Sequence, residues 1–238
     1  MKKLIALVAL VLLGVCLIAF QVQAKFESSS NTTIVVLGEA KITTKPNIAT
    51  ICLGVETESE NVTQALNENS EKLTKVISAI EGLGISKNNI TTTYFRIYPV
   101  RDYTTNELKG YRVVNEIKIK IRDLNDIGRI ISVAISSGAN RVEWIEFGLS
   151  KDRIKMLREK AIKIACDDAK AKAETIAESL NLTITGISSI KEQTVYFQPY
   201  RVYGSELGPV PAPTTVTPPI KPGEVTISFK IVATFIAR

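Results

Sequence analysis

A chain of 238 residues with 45% apolar and 23% charged side chains can bury one sizeable core or two small ones, which excludes a wholly disordered protein. Its formal net charge of +6 includes Lys2 and Lys3 of the leader, and Lys and Arg elsewhere are interspersed with acids, without a block of five or six, so a nucleic-acid partner is not expected. The absence of histidine removes the Ser-His-Asp triad, the Cys-His dyad, His-ligated zinc and haem, and the imidazole general base.

The chain begins Met1-Lys2-Lys3, is uncharged from there to Lys25, is apolar from 4 to 20 apart from Gly14, and reaches the small-residue end Val22-Gln23-Ala24. Residues 1–24 therefore read as a signal peptide cleaved after Ala24, or as an uncleaved anchor attached to the membrane through residues 4–22. Either way residues 25–238 work outside the cytoplasm, in the periplasm, on the cell surface or secreted. Leu13-Gly14-Val15-Cys16 is a poor lipoprotein signal, because Val15 stands where a small residue is wanted. Cys52 and Cys166 remain beyond the leader. Both read as buried small hydrophobes, with a bridge between them as the alternative outside the cell. Asn31, Asn61, Asn89 and Asn181 each open an Asn-x-Thr sequon and are candidate glycosylation sites.

Strands are expected over 33–41 and 48–58, with Pro46-Asn47 as the turn and Ala49, Ile51, Leu53 and Val55 on one face. Val62, Leu66, Asn69, Leu73, Val76 or Ile77, Ile80 and Leu83 recur at helical steps until Gly82 and Gly84 stop the helix. Residues 90–100 and 111–121 read as a long hairpin. Val113, Ile117, Ile119 and Ile121 alternate with polar and charged residues, so one face of its sheet is wet or covered by something polar. Asp126 reads as the N-cap of a short helix ended by Gly138, and 141–149 as a strand in which Trp144 is a core residue.

The longest helix is expected over 151–180, with Ala161, Ala165, Ala169, Ala173 and Ala177 on one row that lets another element approach closely. That row packs on the protein's own sheet or, in part, on another protomer. A strand follows over 185–197. Residues 198–223 hold seven of the nine prolines, which rules out a helix or a central strand and leaves a semi-rigid surface arm with Tyr196, Tyr200 and Tyr203 as aromatic handles beside its start. The last strand, 224–236, sets Val225, Ile227, Phe229, Ile231, Ala233 and Phe235 on one face.

Carboxylates supply no convincing centre. Asp167 and Asp168 are adjacent on a helix and point about 100° apart, so they cannot share a proton or a metal unaided. The expected class is α+β, with mixed, largely antiparallel sheets packed against helices and candidate subdomains 31–122 and 123–238. No catalytic residue, cofactor site or metal site is assigned.

Val36-x-Gly38, Pro46-Asn47, Ile90-x-Thr92, Gly110-Tyr111, Asp123-Leu124, Gly138-Ala139, the Ala161-Ile162 and Ala165 to Ala173 run, and Pro219-Ile220-Lys221-Pro222-Gly223-Glu224 before the final strand follow one another in the order seen in the SIMPL-domain, YggE-like family of exported bacterial and archaeal proteins. The chain resembles that family over nearly the whole exported part. The resemblance implies an α+β protein on the outer side of the membrane that tends to form oligomers and has no established catalytic residues. Asn47 and Asn89 stand where the family often has Asp, which weakens any acid or metal site there. The leading expectation is a non-enzymatic envelope or surface protein that self-assembles into homo-oligomers, with the alanine row and tyrosines as candidate contacts. The alternatives are a small-ligand module built on Tyr196, Tyr200, Arg201 and Tyr203 around a cleft, and a histidine-free hydrolase using Asp167 or Asp168.

Overall fold

The computed structural model describes residues 32–193, 196–204 and 219–238, with the side chain of Tyr196 left out. The leader, Asn31 and most of the proline-rich arm lie outside the described residues. Element order is β1 (Thr32–Thr44), β2 (Ile48–Ser59), α1 (Val62–Gly82), β3 (Ile90–Arg101), β4 (Leu108–Ile121), α2 (Ile127–Ser136), β5 (Arg141–Gly148), α3 (Lys151–Ser179), β6 (Ile184–Glu192), β7 (Tyr196–Gln198), β8 (Tyr200–Tyr203) and β9 (Val225–Ala237). The class is α+β, as expected, with all strand pairs antiparallel.

The strands form two sheets. In the first, β9 is central, with β1 on one side and β6 and β7 on the other; the second runs β3-β4-β2-β5-β8. The layers interleave along the chain: β1 pairs with the last strand, and β5 and β8 join the N-terminal hairpins. Neither sheet corresponds to residues 31–122 or 123–238, because strand pairing here skips across the chain instead of following sequence neighbours.

Helix α3 covers the first sheet. Its 29 residues span about 43 Å at 1.5 Å per residue, the same as the 13-residue strands β1 and β9 at about 3.3 Å each. The alanine row is buried against Ile34, Val36, Phe229, Ile231 and Phe235. Small side chains let the helix sit close, and Gly38 completes the fit: a Cβ there would stand 2.1 Å from the Ala165 carbonyl oxygen and 2.8 Å from Ala169 Cβ. Beside the row Leu157 is buried, whereas Ile164, Ile176 and Leu180 are exposed.

Helices α1 and α2 cover one face of the second sheet, where Ile51, Leu53, Val55, Ile117, Ile119 and Phe147 are buried with Val76, Ile80, Ile127 and Ile130. The expected α1 face is buried at Asn69, Leu73, Val76 and Ile80; only its first turn differs, where Ala65 is buried, Leu66 half-buried and Val62 exposed. Asn69 lies inside this core because its amide nitrogen donates to Val55 O at 2.9 Å and Val113 O at 3.1 Å, tying β2 to β4, while its own Oδ1 has no partner. Asn61 caps α1 by accepting from the Thr63 and Gln64 amides.

A polar clasp joins the two layers. Asn47, in the β1–β2 turn, receives the Ser150 amide on Oδ1 at 2.8 Å and donates its own Nδ2 to Ser150 Oγ at 3.0 Å, and Ser150 caps α3 at Arg153. The Asn47 amide also donates to Gly148 O. Leu149, Leu157, Val225 and Ile227 pack beside it.

Candidate functional site

Among the described residues the ion pairs of α3 and of the loop before α2 serve strand and helix architecture. Asp168 Oδ2 accepts the backbone N–H of Glu39 at 2.9 Å and the Lys172 ammonium at 2.6 Å, and Lys172 also donates to Leu37 O at 2.9 Å. Lys172 and the Glu39 amide together hold the Asp168 carboxyl below its ordinary pKa. These two side chains of α3 occupy backbone groups on the outward edge of β1. Asp167 is exposed beside them, so the adjacent aspartates do not converge on one site. Asp126 stands at the N-cap of α2 but makes no capping hydrogen bond; it pairs with Arg129 at 3.2 Å instead, while Asp123 accepts the Asn125 amide. The main chain enters α2 from a 3₁₀ turn in helical geometry, and this leaves the Asp126 carboxylate no extended backbone from which to reach back.

Cys52 and Cys166 are both free. Cys52 is buried among Thr93 and Glu116, and burial pushes its thiol up to about 11. Cys166 is exposed on α3, where a buried position had been expected, because it follows Ala165 and falls off the buried row. Among the described residues no group of three Cys, Asp or Glu is placed to hold a metal, and no helix is long and apolar enough to cross a membrane.

The uncovered face of the second sheet is a charged ladder. Arg112 pairs with Glu56 and Glu58, and Arg141 with Glu56 and Glu143. Trp144 belongs to this face, only partly buried, with the Arg201 guanidinium 4.4 Å and the Lys118 ammonium 5.2 Å from its ring centroid. A core position had been expected for it. The pairing Cys52–Trp144–Tyr203 turns it away from the helices, opposite to Ile145 and Phe147.

The tyrosine handles divide. Arg201 and Tyr203 lie on the charged face, where Arg201 binds Glu146, whereas Tyr200 lies on the other face, stacked on Phe147 with ring centroids 6.3 Å apart. Successive side chains of β8 point oppositely, so these residues cannot surround one cleft. The alanine row is covered by the chain's own sheet. Of the sequons, Asn61, Asn89 and Asn181 are exposed and Asn31 lies outside the described residues.

Exposed apolar side chains occur on both sheets, with Val35 62% exposed on β1 and Ile187 and Ile190 each 56% on β6, and a further group lies on β3. Phe95 is 53% exposed and Ile97 37% on one face of β3, Tyr94 is exposed on its opposite, charged face, and Tyr103 and Leu108 stand exposed at the hairpin tip. The tip is held in shape by Asp102, which accepts the Thr104 and Thr105 amides at 2.8 and 3.0 Å and pairs with Lys109 at 2.6 Å. Lys109 first, then those amides, lower the Asp102 carboxyl to about 2. Sequence reasoning missed this surface because alternation marks a wet face without marking an open edge. The signal was Pro99, a residue confined to sheet edges.

Comparison with known proteins gives one consistent match. Residues 34–235 match SIMPL, described as a protein of unknown function (DUF541). The chain is 27% identical over 218 residues to "Uncharacterized protein YggE" of Escherichia coli (strain K12), covering 90% of this chain and 86% of that protein. It is 25% identical over 200 residues to the YggE of Edwardsiella ictaluri, covering 83% and 82%. To the "26 kDa periplasmic immunogenic protein" of Brucella melitensis it is 28% identical over 185 residues, covering 73% of each chain.

Proposed function

The chain belongs to the SIMPL family, and from that premise we propose that it is an extracytoplasmic, non-enzymatic envelope protein that self-assembles through exposed strand surfaces. The observation that carries the reading is the β3 edge, a long border strand that displays Phe95 and Ile97 to solvent. An apolar edge of that kind is a template for another chain, and a protein that keeps one has a use for it.

Composition and geometry support the non-enzymatic part. Histidine is absent, Asp168 is engaged with the β1 edge, and Glu56, Glu58, Glu143 and Glu146 are bound to arginines across the charged face. The export signal at the start of the chain and the word periplasmic in the name of the Brucella relative support the compartment. A ligand module around the tyrosines loses its basis with the opposite orientations of Tyr200 and Tyr203. Light scattering coupled to size exclusion tests the proposal on the chain lacking residues 1–24: a mass at least twice that of the protomer is expected, and a strict monomer at every concentration overturns it.

A further inference from the structure

Among the described residues five strands border the two sheets: β1, β6, β3, β8 and β7, the last with only 3 residues. β1 is guarded by Asp168 and Lys172. β6 is broken by register shifts at Ile184/Gly186 and Ile187/Ser189, and β8 has only 4 residues. β3 has 12 residues and also carries two register shifts, but they leave one regular stretch between them. Its pairing with β4 shifts at Thr92/Tyr94 and at Val100/Arg101, and between those shifts residues 94–100 run in unbroken register. Pro99 lies in this stretch, opposite Tyr111. A proline inside a ladder turns its donorless nitrogen to the open side, and alternation then turns the backbone groups of Phe95 and Ile97 outward as well.

We propose that this edge pairs antiparallel with β3 of a second copy about a two-fold axis at Ile97, making one continuous sheet of the two five-stranded ones. The inference rests on the assembly reading above and names its partner strand. The axis follows from the regular stretch itself, whose middle residue is Ile97. It sets Tyr94 against Val100, Phe95 against Pro99 and Arg96 against Tyr98. These are aromatic against β-branched, aromatic against ring, and cation against aromatic face; Arg96 already lies 6.0 Å from the centroid of Tyr94. Sliding the register to place Arg96 on the axis opposes two guanidinium groups, which is unfavourable. On the Ile97 axis each Ile97 exchanges N–H and C=O with its copy, and each Phe95 N–H reaches the other strand's Pro99 carbonyl. The contact uses the same patch on both copies, so it closes as a dimer instead of growing into a fibre.

Cross-linking tests the register directly. In the chain without residues 1–24 and carrying Cys166→Ser, Ile97→Cys places two thiols on residues about 5.5 Å apart at Cα, within disulfide range. Mild oxidation is expected to give a covalent dimer with Ile97→Cys and none with Tyr94→Cys, whose counterpart in the other copy is about 20 Å along the strand. Ile97→Lys, at a partly exposed position, should fold normally by circular dichroism and weaken dimerisation at least tenfold by sedimentation. If the protein assembles but Ile97→Cys does not cross-link and Ile97→Lys assembles as before, edge pairing is wrong while self-assembly stands. A monomeric parent chain removes both.

Discussion

Gly38→Ala is the sharpest perturbation the structure offers, because one methyl group meets backbone and not a yielding side chain. The added Cβ would lie 2.1 Å from Ala165 O, 2.8 Å from Ala169 Cβ and 3.0 Å from Ile231 Cγ1, so α3 must lift off β1. Overpacking of this kind costs about 1–3 kcal/mol. The lift also stretches the Asp168 bond to the Glu39 amide and the Lys172 bond to Leu37 O, each about 0.5–1.5 kcal/mol before discounting for solvent. A total near ~3 kcal/mol corresponds to a fall in Tm of roughly 6–12 °C for a domain of this size. Thermal unfolding followed by far-UV circular dichroism measures it. A cycle with Asp168→Ala adds a second reading: the double variant should lose less than the two single losses combined, by about 0.5 kcal/mol or more, since the lifted helix has already weakened the Asp168 bond. A melting point for Gly38→Ala within a degree of the parent would show that the helix does not depend on this close approach.

The clasp between the layers gives a paired test: Asn47→Ala should cost about 1–2 kcal/mol by chemical denaturation, whereas Asn47→Asp, whose oxygens can still accept from the Ser150 amide and hydroxyl, should stay within about 0.5 kcal/mol. In maleimide labelling of the chain lacking residues 1–24, native protein should take one label, mapped to Cys166 by peptide mass, and Cys52 should react only after unfolding; rapid native labelling of Cys52 would contradict its burial and its thiol at about 11. The Asp102 carboxyl is depressed relative to an unfolded aspartate near 4, so the order it gives the hairpin tip is present above pH ~4 and fades as pH falls through about 2. The Thr104 and Thr105 amide shifts should titrate with that low midpoint, and a midpoint near 4 would mean the Lys109 and amide contacts are not formed in solution.

Periodicity carried a good share of this protein by itself. The two-residue alternation of the last strand named Val225, Ile227, Phe229, Ile231, Ala233 and Phe235, all buried, and the four-residue recurrence of alanine named the row that α3 buries. Both are legible because a helix or strand exposes its faces at a fixed spacing, whatever packs on them. What packs on them is a different matter. That β1 pairs with β9, that β8 closes the second sheet beside β5, and that the alanines meet the chain's own strands were decided by tertiary structure, since ladder hydrogen bonds join backbone groups that every residue type shares. Trp144 shows the limit most clearly: its strand was recognised, but which side of it faced the helices depended on pairing with Cys52 and Tyr203. The open edge of β3 belongs to the same class, because a strand's border position is a property of the assembled sheet and leaves in the chain only the trace of Pro99.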